Sequence, residues 1–484
     1  MNPAKQDPAD LDLIQKGAAG NEPAAPLRPD EFTDLMLQLG PFEKGLHLAV
    51  AVSGGSDSLA LALLLAEWVA ARGGRLSVLS VDHGLRPAAA GECRRVGEIL
   101  AAYAARAHLQ PIDHHILTWT GAKPATGIMA AARHARYALL TDWCRRHDIL
   151  HLAVAHQAED QAETYLMRRA HGSGMHGLAA MPAVRPLEGV RLLRPLLGIG
   201  KARLMASLRQ RGIGWIEDPS NASLRFERVR WRSRPNAAAD LPALLDAVGA
   251  AGITRDKTER EGAAWLARHG HIDAAGYAVL DRMALNAVPS AIMQSVLRDL
   301  MYMIGAADFP LAPDRLAALL AQLGMTAKGA LTLAGCHLDW SGGKIAIYRE
   351  AAGCDAPRAV EAGEIVLWDR RYRVNLMGPL PANAGSWLLA AIGEWGLANR
   401  PVPQDVRCLP LRARQALPAL WQDGQVAVWP RVEAAGLGPQ AELGRQKVAV
   451  TELPQFPRLD VAFLPRQGPT SCGFPVVRPQ KRII

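Results

Sequence analysis

The sequence lacks paired cysteines. Its six cysteines are scattered, and none forms a Cys-x-x-Cys pair or joins a Cys/His cluster: they are Cys93, Cys144, Cys336, Cys354, Cys408 and Cys472. Zinc sites and iron–sulfur clusters need closely spaced ligands, and a disulfide framework needs patterned pairs, so the spacing argues against all three. It argues equally against sulfur-transfer chemistry that depends on paired cysteines.

Long apolar runs are also absent. The most apolar helix candidate, Leu59–Ala71, contains Glu67 and is too short to cross a bilayer. Residues 1–30 are rich in proline and alanine, mix both charges and lack the apolar core of a signal peptide, which predicts a disordered leader. We therefore expect a cytoplasmic protein with no membrane partner.

The net charge of +9 is concentrated in one block. Between residues 185 and 234 only Glu188, Glu217, Asp218 and Glu227 are acidic, whereas the basic residues are Arg185, Arg191, Arg194, Lys201, Arg203, Arg209, Arg211, Arg225, Arg228, Arg230, Arg232 and Arg234. Such a block suits a polyanion such as nucleic acid. A solvated basic surface explains the charge alone equally well.

An apolar strand, LAVAV, runs into the loop SGGSDS and then into the apolar helix LALALLLAEW. A strand–glycine loop–helix unit directs backbone amides and a positive helix end at an anion. The predicted anion-binding residues are Ser53, Gly54, Gly55, Ser56, Asp57 and Ser58. Asp57 would repel a phosphate unless a cation intervened, and Mg²⁺ is the simplest candidate. The alternative is a serine-rich turn that binds nothing.

Residues 46–155 alternate short apolar strands with helices. Strand candidates are LHLAVAV, LSVLSVDH, PIDHHIL and DILHLAVAH, and helix candidates lie at 58–71, 88–107 and 128–146. This rhythm predicts an α/β fold with a doubly wound parallel sheet. Polar clusters follow the first, second and fourth strands, at 53–58, 82–84 and 156–160, so one crevice at the carboxyl ends of the strands would collect them.

The remaining chain is less distinctive. A proline-containing linker near 234 precedes helix candidates at 239–248, 255–268, 287–304 and 312–323. The stretch GALTLAGCHLDWSGGKIAIYRE predicts a hairpin with its turn at 341–343, and EIVLWDRRYRVNLMG predicts short strands. The predicted organisation is a leader (1–30), an α/β domain (31–234), a helical domain ending in a hairpin (235–350) and a small α+β or β domain (351–484).

A second signature, HLAVAHQAEDQAET, begins as a strand and becomes a helix with an acidic first turn. His156 and Asp160 are four residues apart and can face the same crevice. A carboxylate there could hold Mg²⁺ or orient an amine, and a histidine could bind phosphate. The alternative is an acidic, capped helix with solvated charges.

Together these residues resemble the tRNA(Ile)-lysidine synthases, which belong to the N-type ATP pyrophosphatases. SGGSDS is similar to the pyrophosphate loop of those enzymes. The other matching stretches are VDHGLRP (81–87), ARHARYALL (132–140), AHQAEDQAET (155–164), HGSGMHGLAAM (171–181), RLLRPLLGIGKARL (191–204) and IEDPSN (216–221). The resemblance is dense over about residues 46–234 and loose beyond. It implies an adenine nucleotide alpha-hydrolase-like fold.

The resemblance implies a reaction as well. ATP adenylates the 2-carbonyl oxygen of the wobble cytidine in a CAU-anticodon tRNA(Ile), and the ε-amine of free lysine displaces AMP to give lysidine. Residues 53–58 would hold the pyrophosphate and Mg²⁺, Asp160 would receive the lysine ammonium, and Arg228 would stabilise phosphate charge, with His156 beside them. The later domains would hold the tRNA body and acceptor stem.

The chain departs from the family pattern at a few positions. Gln157 stands where many relatives have a second histidine, His171 where arginine is common, and Val229 where the usual pair reads Arg-Asn. Rival interpretations are another pyrophosphate-loop enzyme, such as a tRNA thiolase or an amidotransferase, and a non-catalytic RNA-binding protein on a decayed nucleotide fold. Missing cysteine pairs and the absence of a visible glutaminase domain disfavour the first, and the intact loop disfavours the second.

Overall fold

The computed structural model describes residues 24–121, 123–124, 126–187, 189–216, 240–307, 310–377, 386–398, 401–433 and 458–463. These residues form two compact units, one extending to Ile253 and the other starting at Thr254. Over those ranges no helix combines the length and apolar character needed to cross a membrane.

The first unit is built on a six-stranded sheet with the order β3-β2-β1-β4-β6-β5. Its strands are β1 (His47–Ala51), β2 (Arg75–Asp82), β3 (Asp113–Thr118), β4 (His151–Ala153), β5 (Val184–Leu187) and β6 (Val190–Leu193). Its helices are α1 (Pro29–Leu37), α2 (Ser56–Ala70), α3 (Ala89–Arg106), α4 (Ile128–Arg146), α5 (Ala158–Ala170), α6 (Met175–Leu178) and α7 (Lys201–Gln210).

Helices cover both faces of this sheet. Successive residues of a strand point to opposite sides, so each strand contributes apolar side chains to a core on either face. On β1, Leu48 and Val50 pack into a core with α1, α2, α3 and α7. Ala49 and Ala51 face the other side, in a core with α4. The predicted doubly wound α/β fold is therefore confirmed, and the bounds of α4 coincide with the predicted helix 128–146.

One part of the sheet was not predicted. Strands β1 to β4 and β6 pair in parallel, but β5 runs antiparallel to β6 at the edge. Both strands are only four residues long, too short for a periodic signal. The hairpin places Leu193 beside Ala153 of β4 and so extends the sheet on the side of α5.

The second unit contains three antiparallel or mixed sheets and the long helices Ser290–Gly305 and Pro313–Met325. A third long helix, Leu241–His269, begins before Thr254 and continues into this unit. Two helices predicted at 239–248 and 255–268 are thus one helix, which continues through Gly249 and Gly252. A glycine inside a helix costs only about 1 kcal/mol, which packing elsewhere on the helix offsets.

One sheet of this unit has five strands in the order β7-β8-β11-β10-β9. The strands are β7 (Gly270–Asp273), β8 (Tyr277–Asp281), β9 (Gly329–Leu333), β10 (Cys336–Ser341) and β11 (Lys344–Arg349). The predicted hairpin is β10–β11. Its turn residues Gly342 and Gly343 have φ of 56° and 81°, as a tight hairpin turn requires. β9 adds a third strand that the hairpin prediction omitted.

Two four-stranded sheets complete the unit. One has the order β12-β15-β16-β17 and contains β12 (Arg358–Ala359), β15 (Leu388–Ala391), β16 (Pro418–Gln422) and β17 (Gln425–Val428). The other has the order β13-β14-β19-β18 and contains β13 (Ile365–Trp368), β14 (Tyr372–Met377), β18 (Pro430–Glu433) and β19 (Arg458–Phe463). The short strands predicted near 364–378 are β13 and β14.

Candidate active site

The predicted anion-binding loop connects β1 to α2. Helix α2 begins at Ser56, and its N-cap residue, Gly55, has extended backbone with φ −71° and ψ 161°. Since glycine has no side chain to cap the helix, an anion can take the place of the missing cap. Ser53 is exposed at the loop surface, and Gly55 and Asp57 are half-buried.

Ser58 holds the loop in shape. Its hydroxyl donates to the Gly55 carbonyl oxygen at 3.0 Å and accepts the Ser53 amide hydrogen at 3.2 Å. The Ser53 hydroxyl oxygen lies 3.3 Å from the Ser58 hydroxyl oxygen. Because the one hydrogen of Ser58 is used inside the loop, this side chain acts as a brace for residues 53–55. The Ser56 hydroxyl donates to the carboxylate of Asp57 at 3.1 Å.

Gly54 is buried against the segment that follows α7. Its φ is +90°, and an added Cβ would lie 2.8 Å from Cδ1 of Ile216 and 3.3 Å from Cγ2 of Val96. The Gly54 carbonyl oxygen accepts the Ile216 amide hydrogen at 2.9 Å. Both the backbone conformation and the contact require glycine here. Ile216 therefore fixes the loop from behind.

Helix α5 begins at the carboxyl end of β4, as the sequence predicts. Gln157 is its N-cap, and the side-chain oxygen of Gln157 accepts the Glu159 amide hydrogen at 2.5 Å. The Asp160 carboxylate in turn accepts the Gln157 amide hydrogen at 3.1 Å. This reciprocal capping box gives Gln157, which departs from the family pattern, a structural role. It also fixes the position of Asp160 at the helix entrance.

Glu159 connects the two signatures. Both of its carboxylate oxygens accept the Lys201 amide hydrogen at the start of α7, at 3.0 and 3.1 Å. Burial raises the pKa of Glu159, and the negative charges of Asp57 and Asp160 raise it further. Asp57 of the loop and Asp160 of α5 therefore both lie within electrostatic reach of the Glu159 carboxylate.

His156 is held by a buried arginine. The Arg194 Nε donates to the His156 Nδ1 at 3.3 Å, and another guanidinium nitrogen donates to the Pro182 carbonyl at 2.7 Å. Burial lowers the pKa of Arg194 to about 10, so the side chain stays charged and always donates. Nδ1 of His156 must then accept, which leaves the ring hydrogen of neutral His156 on Nε2.

The polar cluster predicted at 82–84 lies at the carboxyl end of β2. Asp82 lies at the end of β2, and its carboxylate accepts the Gly84 amide hydrogen at 2.8 Å, which makes it a strand-end cap. Arg228, with the rest of the Asp-Pro-Ser-Asn and arginine-rich stretch, lies outside the described residues. Glu159 and Arg194 were not singled out by the sequence, because their partners are distant along the chain.

Asp57 is the candidate ligand for a divalent cation at this site. No group of three or more His, Cys, Asp or Glu side chains that could hold a metal occurs within the described ranges. The five cysteines described there are all free: Cys93, Cys144, Cys336, Cys354 and Cys408. Mg²⁺ needs only one or two carboxylates together with substrate phosphates. Asp57, half-buried among other carboxylates, fits that requirement.

Comparison with known families agrees with this geometry. The PP-loop domain family, whose name denotes the pyrophosphate loop, matches residues 30–236. That range contains the complete six-stranded sheet, the loop at 53–58 and the start of α5. ATP binding follows from membership in this family.

Curated relatives extend the match beyond this domain. The tRNA(Ile)-lysidine synthase of Ruegeria pomeroyi is 34% identical over 82% of this chain and 91% of its own length. That of Brucella anthropi is 34% identical over 83% of this chain and 88% of its own length. That of Rhodopseudomonas palustris is 48% identical over 40% of this chain and 55% of its own length. The chain belongs to the tRNA(Ile)-lysidine synthase family of ATP-dependent ligases.

Proposed function

We propose that this protein joins free lysine to the wobble cytidine of a CAU-anticodon tRNA(Ile), through an adenylated tRNA intermediate. The cytidine O2 attacks the α-phosphorus of ATP and pyrophosphate leaves. The lysine ε-amine then attacks C2, AMP leaves with O2, and the amine gives up its protons. The observation that supports the proposal is that Asp57 of the loop and Asp160 of α5 both act electrostatically on the Glu159 carboxylate, as expected if the two signatures line one crevice.

The loop supplies the site of pyrophosphate departure. The N-terminal end of α2, left uncapped by Gly55, faces the loop with a partial positive charge. Ser58 braces the loop internally, so the protein's own hydrogen bonds hold the loop in this shape. A cradle already in place for the leaving group stabilises the charge that develops as the bond breaks.

A divalent cation reconciles the phosphate with the acidic crevice. Asp57 lies beside the anion-binding loop, and Asp57 and Asp160 both act on Glu159. Mg²⁺ bound by Asp57 and by phosphate oxygens would neutralise this negative charge and polarise the α-phosphate.

The entrance of α5 supplies the acceptor side of the site. Asp160 is fixed by its contact with the Gln157 amide and would receive the lysine ammonium through a charge-assisted hydrogen bond. His156, with its hydrogen on Nε2, would donate to a phosphate oxygen. Arg228 would add positive charge to the phosphates. No protein nucleophile is required, because both attacking atoms belong to substrates.

The decisive experiment combines ATP, Mg²⁺, labelled lysine and an isoleucine tRNA transcript with a CAU anticodon. We expect label in the tRNA together with released AMP and pyrophosphate. The same transcript with a CAC anticodon is the matched control and should stay unlabelled, because it keeps the wobble cytidine and its neighbour but changes the third anticodon nucleotide.

The other outcomes separate the rival functions. Cleavage of ATP without lysine incorporation would leave the pyrophosphate loop functional but the acceptor wrong, as for a thiolase or an amidotransferase. Binding of tRNA with ATP untouched would identify a non-catalytic RNA-binding protein.

A further inference from the structure

A group of cationic and aromatic side chains lies at the carboxyl ends of β2 and β3, and the mechanism above does not use it. We call it the Lys123 cluster: His83, Trp119 and Lys123. The Lys123 ammonium lies 3.9 Å from the centroid of the Trp119 ring and also donates to the Trp119 carbonyl oxygen. The His83 ring meets Trp119 edge-on, with 6.2 Å between centroids.

The cluster is fixed to the sheet. The Trp119 amide donates to the Asp82 carbonyl oxygen at 2.9 Å, so the chain after β3 continues the pairing with β2. Lys123 is half-buried, and a cation–π contact restrains its ammonium. A lysine held in this way presents its charge at a defined point.

The positive charge of the cluster is not balanced locally. Lys123 forms no ion pair with a carboxylate in the part of the chain that the structure describes. Burial lowers the pKa of His83, and the positive charges of Arg136 and Lys123 lower it further. Asp82 is the acidic group near His83, and it already accepts the Gly84 amide hydrogen.

One further polar atom lacks a partner. The Nδ1 atom of His83 is buried and makes no hydrogen bond. A half-buried ammonium group and an unsatisfied ring nitrogen each cost free energy when no anion contacts them, because burial disfavours charge and unpaired polar atoms. An anion that contacts the cluster would remove this cost.

We propose that the Lys123 cluster binds a backbone phosphate of the substrate RNA. In the sheet, β3 is separated from β1 by β2, and two strand spacings amount to about 10 Å. The cluster is therefore too far away to share the phosphate held by the loop after β1. An RNA strand whose wobble nucleotide lies at that loop would bring a neighbouring phosphate to it. This assignment rests on the proposed function.

The test measures the affinity of the full chain for the CAU-anticodon transcript over a range of salt concentrations. Lys123→Ala should weaken binding about three- to tenfold. It should also reduce the slope of log affinity against log salt concentration by about one, since one fewer counterion is released. Lys123→Arg keeps the charge and should retain most of the affinity. Lys44→Ala removes the same charge from an exposed position before the amino end of β1, and it should change neither quantity.

Three results would overturn the assignment. If Lys123→Ala and Lys44→Ala behave alike, the cluster binds no phosphate. If Lys123→Ala raises the KM for ATP while RNA affinity and salt dependence stay constant, the anion is an ATP phosphate. If the unaltered chain does not bind the transcript at all, the proposed function itself fails and the cluster assignment with it.

Discussion

Glu159 accepts the Lys201 backbone amide with both carboxylate oxygens, at 3.0 and 3.1 Å. The contact joins the first turn of α5 to the first turn of α7, and it lies within the electrostatic reach of Asp57 and Asp160. Glu159 thus serves the fold and shapes the charge of the crevice. The two roles are separable by substitution.

Glu159→Gln should keep the cap and remove the charge. We expect a melting temperature at least equal to that of the parent, since the charged form of Glu159 is disfavoured in the fold, but a weaker apparent affinity for Mg²⁺ in the lysine incorporation assay. Glu159→Ala should lose the cap as well, at a cost of about 1 kcal/mol. Equal melting temperatures for the two variants would contradict a capping role.

Gly54→Ala should disrupt the loop. An Ala at positive φ costs about 1–2 kcal/mol, and its Cβ would press on Ile216 at 2.8 Å. A loop displaced by this contact should lose about 10²-fold in turnover. Gly45→Ala is the matched control, because its φ is +72° and nothing lies within 4 Å of the added Cβ. Gly45→Ala should show the stability cost alone, and similar activity losses in both variants would exclude a role for the Ile216 contact.

Asp57→Ala and Arg228→Ala should each abolish adenylation, with a loss of about 10²-fold or more in kcat, while the affinity for tRNA stays nearly constant. Pyrophosphate release and filter binding measure the two effects separately. The matched controls are Asp142→Ala and Arg145→Ala, which alter exposed side chains on α4. Near-normal turnover in either variant would remove that residue from the proposed mechanism.

Histidines at the amino-terminal side of the sheet should make stability depend on pH. His151 is fully buried and lies 2.7 Å from Glu43, and burial lowers the pKa of His47, His114 and His151. As the pH falls, the unfolded chain therefore binds more protons than the folded chain. The contribution of these histidines to the free energy of unfolding is fully present above about pH 6.5 and decreases as the pH drops below it. Melting curves from about pH 8 to about pH 5.5 test this. The double variant His47→Gln, His114→Gln should show a shallower dependence, and an unchanged slope would assign the effect to other groups.

Asp369→Asn should strongly destabilise the second unit. Asp369 is 1% exposed, and its carboxylate binds Arg349 at 2.9 Å and Arg371 at 2.7 Å. Loss of the shared anion leaves two buried guanidinium groups uncompensated, at a cost of about 3–5 kcal/mol. Asp423→Asn is a close control, because Asp423 has the same φ of 48° but is exposed. Equal chemical denaturation midpoints would contradict the prediction.

Local patterns predicted the elements that form the site. The alternation of strand and helix located β1 to β4, and a run of residues with helical propensity located α4 to the residue. The serine–glycine loop and the acidic turn after β4 were recognisable from their residue types, because backbone amides and hydroxyls suit anion binding and carboxylates suit the binding of a cation or an amine. Short strands such as β5 and β6 carry no such signal.

Contacts between distant residues were beyond the reach of sequence patterns. Glu159 and Lys201 are 42 residues apart, and Arg194 reaches His156 across 38 residues. Ser58 was predicted as an anion donor because of its hydroxyl, but only the fold shows that this hydroxyl is bonded to Gly55. The roles of these side chains depend on which elements become neighbours in the sheet.

The hydrogen bond between Gly54 and Ile216 sets a limit on how the protein can be divided experimentally. A fragment that ends before residue 216 would leave the Gly54 carbonyl unpaired and expose the apolar surface around Val96. Such a fragment could retain its sheet and still fail to hold nucleotide. Studies of the isolated ATP-binding portion must therefore carry the chain past α7, into the sequence where Arg228 lies.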